Sequence, residues 1–216
     1  MEIDDTVLTE RGLDVEISAK SRHVLLIACG AIAREILAIR DLNGWGNLEL
    51  ACLPAKLHNE PQKIPDAVRA KVREARADGF ETIYVVYADC GTGGLLDTVC
   101  KEEGVERIEG PHCYSFFEGN DVFADHEDEI TAFYLTDFLA RQFDTLIWKG
   151  FGLDRHPDMP GMVFSNYEKV VYLAQTDDPA LDAKAEAAAQ KLGLAYERRR
   201  TGYGDLTGFM RKAAQT

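Results

Sequence analysis

Short apolar runs of strand length recur along the chain, and most are followed by a stretch with helical spacing. Residues 24–28 (VLLIA) precede Ile32, Ile36 and Leu37, and Gly44 then ends the helical pattern. Residues 48–53 form the next run, after which Pro65 opens a helix repeating Val68, Val72 and Ala75 on one face. Residues 82–87 are rich in β-branched and aromatic side chains, the clearest strand signal in the chain. A helix carrying Leu95, Leu96 and Val99 follows, and residues 105–108 give a fourth strand. Strands 170–174 and 195–199 flank an Ala-rich helix over 179–192. Strands alternating with helices require crossover connections, which produce parallel sheets covered on both faces. The expected class is α/β, a doubly wound, mostly parallel sheet with helices on both faces. The expected organisation is an N-terminal extension over residues 1–21 and a single α/β domain over 22–216.

The middle of the chain is less regular. Residues 119–128 are acidic and read as an exposed loop. Ile130, Phe133, Tyr134, Phe138 and Phe143 fall at helical spacing and predict an aromatic stripe facing the core. Residues 150–165 show no clear period and read as a long loop, a class often used as a lid or binding loop.

A net charge of −13 argues against a nucleic-acid surface, because phosphate binding needs clustered lysine and arginine. The run Arg198-Arg199-Arg200 is the one basic cluster, and a solvated strand end accounts for it as well as a phosphate clamp does. Apolar runs are too short to span a bilayer, and the acidic start MEIDDTVLTERG lacks the features of a signal peptide. The expected setting is cytoplasmic, with reduced thiols. Five cysteines there point to metal binding, catalysis or plain burial rather than a disulfide framework.

The cysteines divide by context. Cys52 lies inside a strand and Cys100 on the apolar face of a helix, as small buried hydrophobes do. Cys29, Cys90 and Cys113 instead stand where strand-like runs break into loops. Loops at the carboxyl ends of parallel strands converge on the ligand crevice, so these three should meet in space. Glycines follow two of them directly, and Gly30, Gly91 and Gly93 are the expected cofactor-binding positions. Glycine there frees the backbone to bend round a sulfur and aim N–H groups at it.

Thiolates suit zinc, copper(I) and iron–sulfur clusters. Ligands dispersed over separate strand ends resemble catalytic zinc sites, which leave one position open; structural zinc sites prefer CxxC knuckles, and none is present. Zinc bound by sulfur suits activation of a thiol. A [4Fe–4S] cluster held by three cysteines is the alternative. Nearby histidines favour zinc. His58 is either a fourth ligand or a loop histidine bonded to backbone, and His112 is a ligand's neighbour or a proton carrier. Glu118 is a base, a ligand or a solvated carboxylate. Asp89 can cap the helix after Gly91–Gly94. That glycine-rich segment also suggests a phosphate cradle, although it lacks the GxGxxG spacing and the Walker lysine. Asp154-Arg155-His156, Tyr203 and Asp205 lie in loops that could reach the site.

The stretches CGAIARE, LPAKLHN, YADCGTGG, GPHCYSFFEG, FYLTDFLARQFD, GFGLDRHPD, VYLAQTDD and RRTGYGDL, spread over residues 22–206, resemble a bacterial and archaeal family catalogued as a domain of unknown function. Members of that family occur beside corrinoid-dependent methyltransferases of the trimethylamine type. The resemblance implies a role in methyl-group or one-carbon metabolism, with a corrinoid protein or corrinoid methyltransferase as partner. The family's cysteine positions correspond to Cys29, Cys90 and the His112–Cys113 pair. The expectation is a zinc-dependent enzyme of the methyltransferase kind, acting on a small-molecule substrate. A metal- or corrinoid-handling accessory protein without turnover is the non-enzymatic alternative.

Overall fold

The computed structural model describes residues 3–14, 23–126, 129–156 and 158–216. They fall into two compact units, Met1–Phe116 with Asp205–Thr216, and Phe117–Gly204. Each has its own all-parallel sheet. The α/β class expected from the alternating pattern is therefore present, distributed over two sheets.

The first unit begins with helix α1 (Asp5–Glu10), capped by the Asp4 carboxylate accepting from the Thr6 N–H. Strand β1 (Val24–Cys29) is followed by α2 (Ala33–Asn43), β2 (Leu48–Leu53), α3 (Ile64–Ala77), β3 (Thr82–Val86), α4 (Leu95–Glu103) and the two-residue β4 (Glu106–Arg107). The strand order is β2-β1-β3-β4. No residue of β1 is more than 6% exposed, as expected of a central strand covered on both faces. The N-terminal segment is part of this unit. Leu8 of α1 is fully buried, Arg34 bonds the Asp5 carboxylate at 2.7 Å, and Leu13 pairs antiparallel with Cys52 beside edge strand β2.

The β1→β2 step runs outward in one direction, and the next connection returns across β1 to place β3 on its other side. The junction of β1 and β3 is thus a topological switch point. In open α/β sheets, the crevice at the carboxyl ends of such strands is where ligands bind.

In the second unit, the short helices α5 (Ser115–Glu118, which starts in the first unit) and α6 (Asn120–Ala124) lead to β5 (Ala132–Thr136) and α7 (Asp137–Arg141). A π-helical stretch (Phe143–Lys149), α8 (Pro160–Val163), β6 (Lys169–Ala174), α9 (Pro179–Leu192) and β7 (Ala195–Arg200) follow. The order is β5-β6-β7. Residues 127 and 128 of the expected acidic loop lie outside the described residues, and its middle forms α6. The aromatic helical stripe is corrected: residues 132–136 are a strand, and Ile130 is 89% exposed. The physical reason is the run AFYLT, whose aromatic content favours a pleated surface, ended by Thr136. Its hydroxyl accepts from the Leu139 N–H and starts α7 only there.

The Asp137 carboxylate is buried at the carboxyl end of this sheet. It accepts from the Tyr172 hydroxyl at 2.7 Å, the Gln175 N–H at 3.0 Å and the Thr176 hydroxyl at 2.5 Å. The loop over 150–165 contains α8 and turns, with Asp154 and Arg155 paired at 4.0 Å. The final helix (Gly204–Ala214) was not evident from the sequence pattern. It returns to the first unit, where Phe209 packs edge-on against Tyr84. Among the described residues, no helix is long and apolar enough to cross a membrane.

Candidate functional site: a cysteine cluster at the switch point

Cys29 is the last residue of β1, and Cys90 lies in the loop leaving β3. Cys113 lies in the loop leaving β4. Main-chain bonds continue the β3–β4 pairing beyond the strands, since Asp89 N–H donates to the Gly110 carbonyl and Cys90 N–H to the Pro111 carbonyl, each at 2.9 Å. The two loops are therefore held side by side. The Cys90 and Cys113 sulfurs stand 3.1 Å apart, both half-buried.

Cys90 has φ +49°, the only positive φ among described non-glycine residues. A left-handed backbone at a side chain of this kind costs stability and clusters at functional sites. Gly91, Gly93 and Gly94 follow with φ of +83°, +63° and +85°, so the turn uses glycine where a side chain would be strained. The Gly93 and Gly94 N–H groups are already engaged. Asp89 accepts from the Thr92 hydroxyl at 2.7 Å, from Gly93 N–H at 3.1 Å and from Gly94 N–H at 2.8 Å. Burial works to raise the Asp89 pKa, but these donors outweigh it and hold the carboxyl below its usual range. The chain's own carboxylate fills the position where a phosphate cradle would bind its ligand.

Each of the three sulfurs faces a main-chain N–H: Cys29 that of Ala31, Cys90 that of Cys113, and Cys113 that of Ala88. Such donors favour thiolate over thiol. The pair divides its proton unequally. Cys113 hydrogen-bonds to the Cys90 sulfur, lowering the Cys90 pKa against the effect of burial and raising that of Cys113. Burial pushes the Cys29 thiol up to about 12. Cys52, in register with Ala28, is also buried, and burial first and Cys29 second hold its pKa high. Cys100 is buried on α4, pushed up to about 11 chiefly by burial.

Tyr87 was not singled out by sequence, although it adjoins Asp89-Cys90 in the chain. Its side chain is 1% exposed. The hydroxyl faces Cys29, with Cys113 and Cys90 near it, yet it makes no regular hydrogen bond. Burial, then these thiols, keep it protonated. The hydroxyl points toward the Cys29 sulfur without reaching regular hydrogen-bond geometry.

His112 is half-buried and stacks on Tyr114 at 4.8 Å between ring centroids. Its pKa is lowered by burial, with Asp89 opposing. His58 lies on the short 3-10 segment after β2 and is exposed, although crowded surroundings and the nearby His112 lower its pKa. Gly30 needs no cofactor to explain it. A Cβ there would stand 2.5 Å from the Leu8 carbonyl oxygen and 3.2 Å from that of Leu53. Glu118 belongs to the second unit's ion-pair network, 3.1 Å from Arg199, which also pairs with Glu129 and Glu197. Arg198 and Arg200 are paired with Asp177. The basic run is thus neutralised by carboxylates.

The sequence places three sulfurs together, and the structure brings two into direct contact, with the third near enough to act on them electrostatically. Among the described residues, no three histidine, cysteine or acidic side chains stand in an arrangement that would hold one ion as they are. The donor chemistry nevertheless fits a soft metal. Two thiolates on one zinc ion, each at about 2.3 Å, are roughly 3.8 Å apart, a small opening of the observed pair.

No curated protein and no solved structure matches the chain. A family model described as "Protein of unknown function (DUF1638)" matches residues 52–210, a span that includes His58, Cys90, His112 and Cys113 and begins after Cys29. The chain belongs to this family of proteins of unknown function.

Proposed function

We propose that the protein is a metal-dependent enzyme of one-carbon metabolism whose cysteine cluster binds zinc. The observation that carries this reading is the convergence at the β1–β3 switch point of three sulfurs, each faced by a main-chain N–H. Hydrogen bonds to sulfur are how proteins tune thiolate-bound metals. Bound zinc would supply a Lewis acid that keeps a substrate thiol, or another methyl acceptor, in its nucleophilic form.

Cys90 and Cys113 would hold the ion, with Cys29 as third ligand. Tyr87, whose hydroxyl faces Cys29, would donate to that sulfur as a thiolate. The half-buried state of Cys90 and Cys113 leaves an approach for a small substrate. His112 is assigned to take the incoming proton, because Glu118 is engaged by Arg199. The family resemblance adds a corrinoid protein or corrinoid methyltransferase as partner.

The test is metal analysis and a visible spectrum of anaerobically purified protein. The expected result is about one zinc per chain and no band near about 400 nm. Cys90→Ala and Cys113→Ala lose the metal, while Cys100→Ala keeps it. Added thiol changes the sulfur coordination seen by X-ray absorption. Protein that takes up no zinc overturns the reading. A broad band would replace zinc with an iron–sulfur cluster. A coordination shell that no thiol alters would favour the accessory-protein alternative.

A further inference from the structure

We propose that Cys90 and Cys113 form a redox dithiol that exchanges with low-molecular-weight disulfides of the glutathione class; its competition with metal rests on the zinc reading above. The sulfurs are 3.1 Å apart, and a disulfide bond is about 2.05 Å long, so closing it needs roughly 1 Å of movement. The backbone is already committed to this approach. Hydrogen bonds from Asp89 and Cys90 to the Gly110 and Pro111 carbonyls tie the two loops together irrespective of what the sulfurs do. Cys90 and Cys113 are half-buried residues, whereas Cys29, Cys52 and Cys100 are buried and shielded from exchange.

The exchange has two steps. One of the two sulfurs, having lost its proton to solvent, attacks one sulfur of the small disulfide, forming a mixed disulfide and expelling the first small thiolate. The other then gives up its proton to solvent and attacks the protein sulfur of the mixed disulfide, expelling the second. The protein dithiol is oxidised by two electrons, and one small disulfide is reduced to two thiols. Joined sulfurs no longer offer thiolates, so oxidation and metal binding exclude each other.

The experiment uses the full chain, metal-free and reduced, incubated with oxidised glutathione, then alkylated and mapped by mass spectrometry. Most chains should carry a Cys90–Cys113 cross-link that dithiothreitol reverses, with unchanged far-ultraviolet circular dichroism. Fragment spectra must separate Cys90 from Cys100, because both lie on the tryptic peptide between Arg76 and Lys101. Cys113→Ser should accumulate one glutathione on Cys90. Zinc uptake should vanish on oxidation and return on reduction.

Folded protein in which both thiols remain alkylatable, or a cross-link that forms only in urea, overturns the dithiol. The two readings fail separately. A cross-link without zinc uptake by reduced protein removes the metal competition and leaves the dithiol. Zinc uptake without a cross-link removes the dithiol and leaves the metal site.

Discussion

Replacing Tyr87 with phenylalanine should stabilise the metal-free protein, the reverse of the usual effect of a core substitution. The ring is 1% exposed and stays in place, so only the hydroxyl is removed. That hydroxyl has given up water without gaining a regular partner, a state that costs roughly 1–3 kcal/mol. Losing one oxygen's contacts offsets part of the gain, which leaves a net stabilisation of about 1 kcal/mol. For a chain of this size, that corresponds to about 2–4 °C in melting temperature. With zinc bound, the sign reverses. A hydrogen bond to a charged thiolate contributes about 1.5–3 kcal/mol, and Tyr87→Phe forfeits it. The assay is urea unfolding in a Trp148→Phe background, where the remaining Trp45 reports on the unit that contains Tyr87. Separate reporting matters because a chain with two units does not guarantee a single transition. Destabilisation of the metal-free protein by about 1 kcal/mol or more would show that the hydroxyl is already partnered, and the reasoning fails.

Gly30→Ala should destabilise the first unit by about 1–3 kcal/mol, since the new methyl meets two backbone carbonyls that cannot yield; faster tryptic cleavage at Arg11 reports the loosening of α1, and an unchanged urea midpoint would contradict it. The Glu129 carboxyl is held well below its ordinary pKa, first by Arg199 and then, against burial, by Lys169 and Tyr134. The unfolded chain therefore binds this proton more readily, so the stabilisation is present above about pH 4 and is lost as pH falls from there; Glu129→Gln should flatten the acid limb of an unfolding profile. Timed alkylation at mildly alkaline pH should label Cys90 first, whose pKa is lowered by Cys113, and Cys29, Cys52 and Cys100 last, whose thiols burial holds protonated. Cys29 reacting as fast as Cys90 would contradict the burial assigned to it.

The first unit was legible because its strands are short, apolar and punctuated. Leu48–Leu53 in this unit, and the helix Pro179–Leu192 in the second, have the bounds that periodicity and capping residues imply. The region 130–143 was not legible, because the aromatic spacing suited a helix and only the Thr136 cap decides where the helix begins. The candidate site was legible at Cys29, Cys90 and Cys113 because strand ends can be read locally. Tyr87 was not, since an aromatic at the end of an apolar strand looks like any core residue until its hydroxyl is seen without a partner. What local patterns lack is strand order. With β1 and β3 adjacent, Cys29 and Cys90 share one crevice, and the main-chain bonds from Asp89 and Cys90 bring Cys113 to its edge. Had β3 been added beyond β2 instead, the same residues at the same strand ends would lie a further strand spacing of about 4.8 Å apart, outside the reach of one ion. The chemistry of this site therefore depends on the return crossing from β2 to β3 as much as on the cysteines themselves.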